Sequence, residues 1–205
     1  MEPTVAAFDV DGTLTVRDCV FPYLLSVRGA AGVIRLLTDA PVALIRALAR
    51  RDRDAVKAMV VRSFLSGVPV ERAESVGQEF ARRVCSGWMR QDVAARLRMH
   101  QDEGHVVVLV SASLSPYLEP LGELLEVDAV ICTELEVVDG VLTGELSGAN
   151  CRGAEKTARL RSWAAGAGLT GEAWLSSAYG DSAGDTHMLA MAADGVDVSR
   201  AELVQ

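Results

Sequence analysis

The chain has 205 residues, 50% of them hydrophobic but only 5% aromatic, and a formal net charge of −8. That length allows one main core with a modest appended unit. The acidic balance, without a basic stripe to neutralise phosphates, argues against a nucleic-acid partner.

The apolar run Val5-Ala6-Ala7-Phe8 reads as the start of a buried strand over 5–10. It runs into Asp9-Val10-Asp11-Gly12-Thr13-Leu14-Thr15. Side chains two apart on a strand share a face, so Asp9 and Asp11 point into one site past the strand's carboxyl end. Two carboxylates so close repel, and a divalent cation, a shared proton or both must hold them. The chain enters this strand at once, so no signal peptide is expected. Cys19, Cys85, Cys132 and Cys151 lack metal-ligand spacing and read as reduced thiols, which points to the cytoplasm.

Residues 17–90 hold no convincing strand. They read as helices around 22–28, 31–49, 52–66 and 70–86, broken near Gly29, Asp39-Ala40-Pro41 and Gly67-Val68-Pro69. The most hydrophobic stretch, Gly32 to Ala49, is interrupted by Arg35, Asp39, Pro41 and Arg46. It predicts no membrane span. An amphipathic helix over the site is preferred to an interfacial one. A helix over 91–103 ends at Gly104 as a C-cap. Val106 to Ser111 is a second strand, closing in Ser111-Ala112-Ser113, and Ser115-Pro116 opens the next helix. A strand at 129–132 leads to a hairpin over 134–144 with Asp139-Gly140 at its turn. Lys156 lies near the start of a helix running to Ala165. A strand at 174–180 precedes Asp181-Ser182-Ala183-Gly184-Asp185, with a helix opening at Gly180 or Ser182 and Asp185 in its first turn. His100, His105 and His187 show no ligand or triad spacing, and no G-x-G nucleotide cradle occurs. Strands alternating with helices imply an α/β, doubly wound, Rossmann-like parallel sheet core, with the motif-bearing strand ends on one edge. The helical block is too long for a simple crossover and reads as an inserted all-helical cap domain. The expected division is 1–16 and 91–205 for the core and 17–90 for the cap.

Four segments in order carry a resemblance. The string from Asp9, the strand ending at Ser111, Lys156, and Gly180-Asp181 through Asp185 resemble the four motifs of the haloacid dehalogenase superfamily, in its phosphoserine-phosphatase-like subfamily IB. The resemblance implies a Mg²⁺-dependent phosphomonoester hydrolase with Asp9 as nucleophile, Asp11 as acid and base, and Lys156 as fixed positive charge. It implies metal ligands at Asp9, at Asp11 through its backbone carbonyl, and at Asp181, with Asp185 and Ser182 supporting them. Ser111, the Ala112 amide, and Gly12 and Thr13 are expected to bind phosphoryl oxygens. Asp18 and Arg62 lie near positions where phosphoserine phosphatases contact the substrate amine and carboxylate. Haloacid dehalogenases proper lack an aspartate at the place of Asp11, because a halide leaving group needs no proton. Ser-Ala-Ser stands where phosphoserine phosphatases tend to have Ser-Gly-Gly, and Gly184 where they have asparagine, so strict phosphoserine specificity does not follow. The expected substrate is a small phosphate ester. The alternatives are a phosphomutase or phosphotransferase, or a non-catalytic phosphate-binding regulator. The sequence fits either a monomer or a dimer, and leaves a final strand in the tail open.

Overall fold

The computed structural model describes residues 4–39, 41–169 and 174–199. A five-stranded parallel sheet is built from β1 (Val5–Phe8), β3 (Val106–Leu114), β4 (Ala129–Thr133), β7 (Leu175–Gly180) and β8 (Asp194–Asp197), in the order β4-β3-β1-β7-β8. The first strand sits at the centre, with successive crossovers leaving it on both sides. This is the switch point at which ligands bind beyond the carboxyl ends of open α/β sheets. Register places Phe8 beside Leu109 and Tyr179, so the residues that follow in each strand meet at one edge. The tail does form an edge strand: β8 pairs in parallel with β7 from Ser177–Asp194 to Gly180–Asp197.

Alternation within the strands divides the core into two faces. Ala6, Phe8, Val107 and Leu109 face one cluster, and Val5, Ala7, Val108 and Val110 face the other. The second face is covered by α7 (Ala154–Gly166) and α8 (Thr186–Met191), through Leu160, Ala164 and Met188. The first is larger. It takes in α4 (Val70–Gly87), α5 (Gln91–Asp102) and α6 (Ser115–Leu124), with Phe80, Val84, Leu97, Tyr117 and Leu118 at zero or near-zero exposure. On α4 the buried set Ala73, Gly77, Phe80, Ala81 and Val84 follows the three-and-four spacing of one helical face.

Between β1 and α4 lie α1 (Val20–Asp39), α2 (Pro41–Arg50) and α3 (Arg53–Leu65). The expected break at Gly29 is a kink within α1, at φ 59° and ψ −144°. Of the expected break at 39–41, Ala40 lies outside the described residues, and α2 begins at Pro41. The strand-free reading of 17–90 needs one correction. Val68–Pro69 forms a two-residue strand, β2, antiparallel to Val141–Leu142. Proline at 69 removes an amide donor, so from sequence this edge pairing looked like a plain turn. Its partner β6 (Val141–Leu146) pairs with β5 (Leu135–Val138) in the expected hairpin, and Asp139 and Gly140 both have positive φ, 50° and 76°. That is the backbone a tight primed turn requires.

Two histidines without ligand spacing are brought together. His100 Nδ1 lies 2.8 Å from His105 Nδ1, and His100 Nε2 lies 3.0 Å from the Tyr179 hydroxyl. His187 is exposed on α8.

Candidate active site

The strand ends frame a cavity of about 670 Å³ lined by Asp9, Asp11, Asp18, Ser111, Ala112, Lys156, Asp181, Ser182 and Asp185, with parts of α1, α2 and α3 on its far side. Lys156 is its organising charge. Buried in the first turn of α7, its Nζ donates to Asp9 Oδ1 and to Asp185 Oδ1, each at 2.5 Å. Burial alone would depress the ammonium, but the two carboxylates outweigh it and its pKa is raised. Asp185 is held in turn by the Ser182 amide at 3.1 Å and the Ser182 hydroxyl at 2.6 Å. Asp185 occupies the N-cap position of α8 instead of its first turn.

Two glycines let the carboxylates converge. Gly12 has φ 85°, and a Cβ there would sit 2.3 Å from Asp181 Oδ2; a Cβ on Gly180 would sit 2.5 Å from that of Asp185. Carboxylate oxygens of Asp9, Asp181 and Asp185 fall within 4.8 Å of one another. Burial, opposed by Lys156 and reinforced by Asp185, pushes Asp9 up to about 7; burial and Asp185 also raise Asp181. The three clustered carboxylates of Asp9, Asp181 and Asp185 thus share the single ammonium of Lys156. An all-oxygen donor set with surplus negative charge fits a hard divalent cation such as Mg²⁺.

Asp11 stands apart from that cluster. Its carboxylate accepts the Cys19 amide at 2.8 Å and the Ser113 hydroxyl, and Ser113 Oγ accepts the Tyr117 hydroxyl at 2.6 Å. Burial and the nearby Asp18 push Asp11 up to about 6, against the pull of these donors. A carboxyl whose pKa is raised toward neutrality is better suited to act as an acid. Ser111 Oγ accepts the Ser113 amide at 3.1 Å, so its own O–H is available to donate.

Three expected contacts lie off the cavity lining. Thr13 is fully buried, and its hydroxyl faces Asp9 Oδ2 at 3.2 Å and Asp181 Oδ1 at 3.3 Å, so it bridges carboxylates and does not line the cavity. Gly12 likewise shapes the turn from outside the cavity lining. Arg62 is outside the cavity too and pairs with Glu145 of β6. Val56, Lys57 and Val60 line the cavity, and Arg62, two residues past Val60, lies about 200° further round the helix.

Lys57 is the residue that motif reading missed. From α3 its Nζ reaches the Ala112 carbonyl, Asn150 Oδ1 at 2.5 Å and Thr133 Oγ1 at 3.2 Å, while Asn150 Nδ2 donates to Asp54 Oδ1 at 2.6 Å. Burial lowers Lys57 to about 8 despite the pull of Asp11. Its only sequence signal is a basic residue among the apolar positions of a helix.

The haloacid dehalogenase-like hydrolase model matches residues 6–190. Protein CicA of Caulobacter vibrioides is 38% identical over 195 residues, spanning 93% of this chain and 84% of that one. Phosphoserine phosphatase SerB2 of Mycobacterium tuberculosis is 30% identical over 190 residues, 92% of this chain but 42% of that one. A solved structure of a protein of unknown function from Bordetella pertussis Tohama I superposes with a TM-score of 0.71 at 25% identity, covering 93% of this chain and 87% of that one. The chain belongs to the haloacid dehalogenase-like hydrolases, in their phosphoserine-phosphatase-like branch, and is a phosphatase of that type.

Proposed function

We propose that this phosphatase is a Mg²⁺-dependent phosphomonoester hydrolase that works through an aspartyl-phosphate on Asp9. The observation that carries the reading is the clamp of Lys156 on Asp9 and Asp185 at the floor of a cavity that Asp11 and Ser111 also line. Lys156 fixes the Asp9 carboxylate and leaves an oxygen to attack phosphorus in line with the ester bond. An oxygen–phosphorus bond to Asp9 forms as the ester bond breaks, and the departing alcohol takes a proton from Asp11. Water then gives a proton to Asp11 and attacks the same phosphorus. The Asp9 carboxylate leaves, and inorganic phosphate is released. The Ser111 hydroxyl and the backbone at Ala112 hold phosphoryl oxygens through both steps. A cation bound by Asp9, Asp181 and the Asp11 carbonyl would neutralise phosphoryl charge.

Within residues 17–90, α1, α2 and α3 act in this reading as a cap that selects the organic part of the substrate and shields the phosphoryl group from bulk water, while α4 packs on the sheet. Arg62, paired with Glu145 away from the cavity lining, is left out of that selection in this reading, so phosphoserine is not singled out. Asp18, on the cavity wall, remains the cap-side contact. The four cysteines are free thiols, in keeping with a reducing cytoplasm. The test is release of inorganic phosphate from a panel of small phosphate esters, with Mg²⁺ and after chelation. Metal-dependent release supports the reading. Isomerised ester without free phosphate would make the protein a mutase.

A further inference from the structure

The far side of the cavity has an unusual continuation. Seven of the twelve large hydrophobic residues exposed among the described residues fall in α1 and α2. On α2, Val42, Ile45 and Leu48 are 58%, 66% and 56% exposed and recur every three residues, which makes one stripe; only Ala47 of that helix is buried. On α1, Ile34 and Leu37 are 62% and 58% exposed, and Phe21 is 44% exposed at the start of the same helix. Phe21 and Leu48 also line the cavity, where they join Val20, Ala47, Val56 and Val60. Leu48 is therefore shared between the exposed stripe and the cavity wall.

The charge around the stripe runs against the rest of the molecule. The chain carries −8 overall, yet over residues 46–54 the exposed Arg46, Arg50, Arg51 and Arg53 outnumber the exposed Asp52 and Asp54, and none of the four arginines is in an ion pair among the described residues. An exposed apolar stripe with Arg46 and Arg50 off it on a helix of low burial, and Arg51 and Arg53 just beyond the helix end, is the mark of an interfacial segment at an anionic bilayer. Helix α1 has a mean hydropathy of 1.4 over its most apolar window, with 22% of that window buried. It does not traverse a bilayer in this fold. It kinks at Gly29, and it packs Tyr23, Leu24, Val27 and Leu36 inward, with the Tyr23 hydroxyl donating to the Ala73 carbonyl at 3.0 Å.

Resting on the phosphatase reading, we propose that the enzyme docks through α1 and α2 on an anionic lipid surface and hydrolyses the phosphate monoester head of a lipid. The phosphate descends to Asp9, and the glyceryl and first acyl carbons lie along Phe21, Leu48, Val56 and Val60. The bonds made and broken are those of the soluble reaction, with the lipid alcohol as the leaving group that takes the proton from Asp11.

Docking is read without turnover, by co-sedimentation of the full chain with vesicles of phosphatidylcholine alone or of phosphatidylcholine with phosphatidylglycerol. The expected result is binding to the anionic vesicles, at least tenfold above the neutral ones. It should be lost in V42E/I45E, whose substituted positions lie outside the cavity. Turnover is read on phosphatidic acid in the same vesicles and on p-nitrophenyl phosphate in solution. V42E/I45E should lose at least tenfold on the first and keep its rate on the second. Equal rates of wild type and variant on phosphatidic acid would overturn the proposal. So would wild-type protein that hydrolyses p-nitrophenyl phosphate but fails to sediment with anionic vesicles. A dimer dissociated by V42E/I45E, with no vesicle binding, would assign the stripe to a second copy of the chain. Failure on p-nitrophenyl phosphate with vesicle binding intact would instead strike the phosphatase reading.

Discussion

The floor and the roof of the cavity are built on opposite principles. On the floor, Asp9, Lys156 and Asp185 are almost fully buried, and every carboxylate is tied to a named donor. On the roof, α2 buries one residue, and α3 meets the floor through Lys57 and the Asn150–Asp54 bond. A rigid floor fixes reacting atoms to within fractions of an ångström, as phosphoryl transfer demands. The roof can admit bulky organic groups by shifting α2, which buries one residue, while α1 and α3 stay anchored by Tyr23, Leu24, Phe64 and Leu65 in the core. Chemistry and selectivity should therefore respond to different substitutions, and that contrast can be broken.

The largest effect is expected on the floor. Asp9→Asn should lower kcat at least about 10³-fold, because it removes the attacking oxygen's charge while keeping the volume. Asp11→Asn should cost about 10²–10⁴-fold with alcohol leaving groups, less with an aryl ester whose leaving group needs no proton. The same substitution should stabilise the fold. The pKa of Asp11 rises from 3.8 to about 6 on folding, so its favourable contribution is complete below the unfolded value and is lost as pH climbs through about 6. At pH 8 in chelator, thermal melting of Asp11→Asn should show a gain on the order of 2 kcal/mol. A loss instead would mean that the Ser113 and Cys19 bonds outweigh burial of the charge.

Lys156→Met should cost about 10²–10³-fold in kcat. It leaves Asp9 and Asp185 buried without their cation, so denaturant unfolding should also show a loss of about 3–5 kcal/mol. Lys57→Met on the roof should act through KM, by roughly tenfold, as the Ala112 carbonyl and Asn150 lose their shared donor. A fall in kcat as deep as that of Asp9→Asn would erase the distinction between floor and roof.

The smallest effect lies away from the site. Burial and His105 lower the pKa of His100 on folding. The stability this group contributes is present above its unfolded value of about 6.5 and is lost as pH falls through the folded one. Melting temperature should decline on acidification through that window, less so in His100→Gln.

Legibility in the sequence follows the same division. The floor is written locally: a strand end, a glycine and an acid within a few residues announce Asp9, Asp11 and Asp181, and the parallel sheet brings the strand ends together. Lys156 was readable through the resemblance of its surroundings to a known motif, since a lone lysine on a helix start says little. The roof was not readable, because its meaning depends on helix rotation. Lys57 and Arg62 look alike in sequence and differ by five residues. That places one over the site and the other against Glu145. For Thr13 the motif pattern points to phosphate, because it does not show where the hydroxyl turns. The β2–β6 pairing joins residues more than seventy apart, through a proline edge that carries no strand signal.

The covalent intermediate offers the most direct test. Protein mixed with a hydrolysable phosphate ester in Mg²⁺, quenched in denaturant and reduced with borohydride, would convert an acyl-phosphate to an alcohol that peptide mass spectrometry can locate. Reduction at residue 9, absent without substrate, is the predicted result. Steady phosphate release with residue 9 unmodified, or with the label on Asp11 or Asp181, would contradict it.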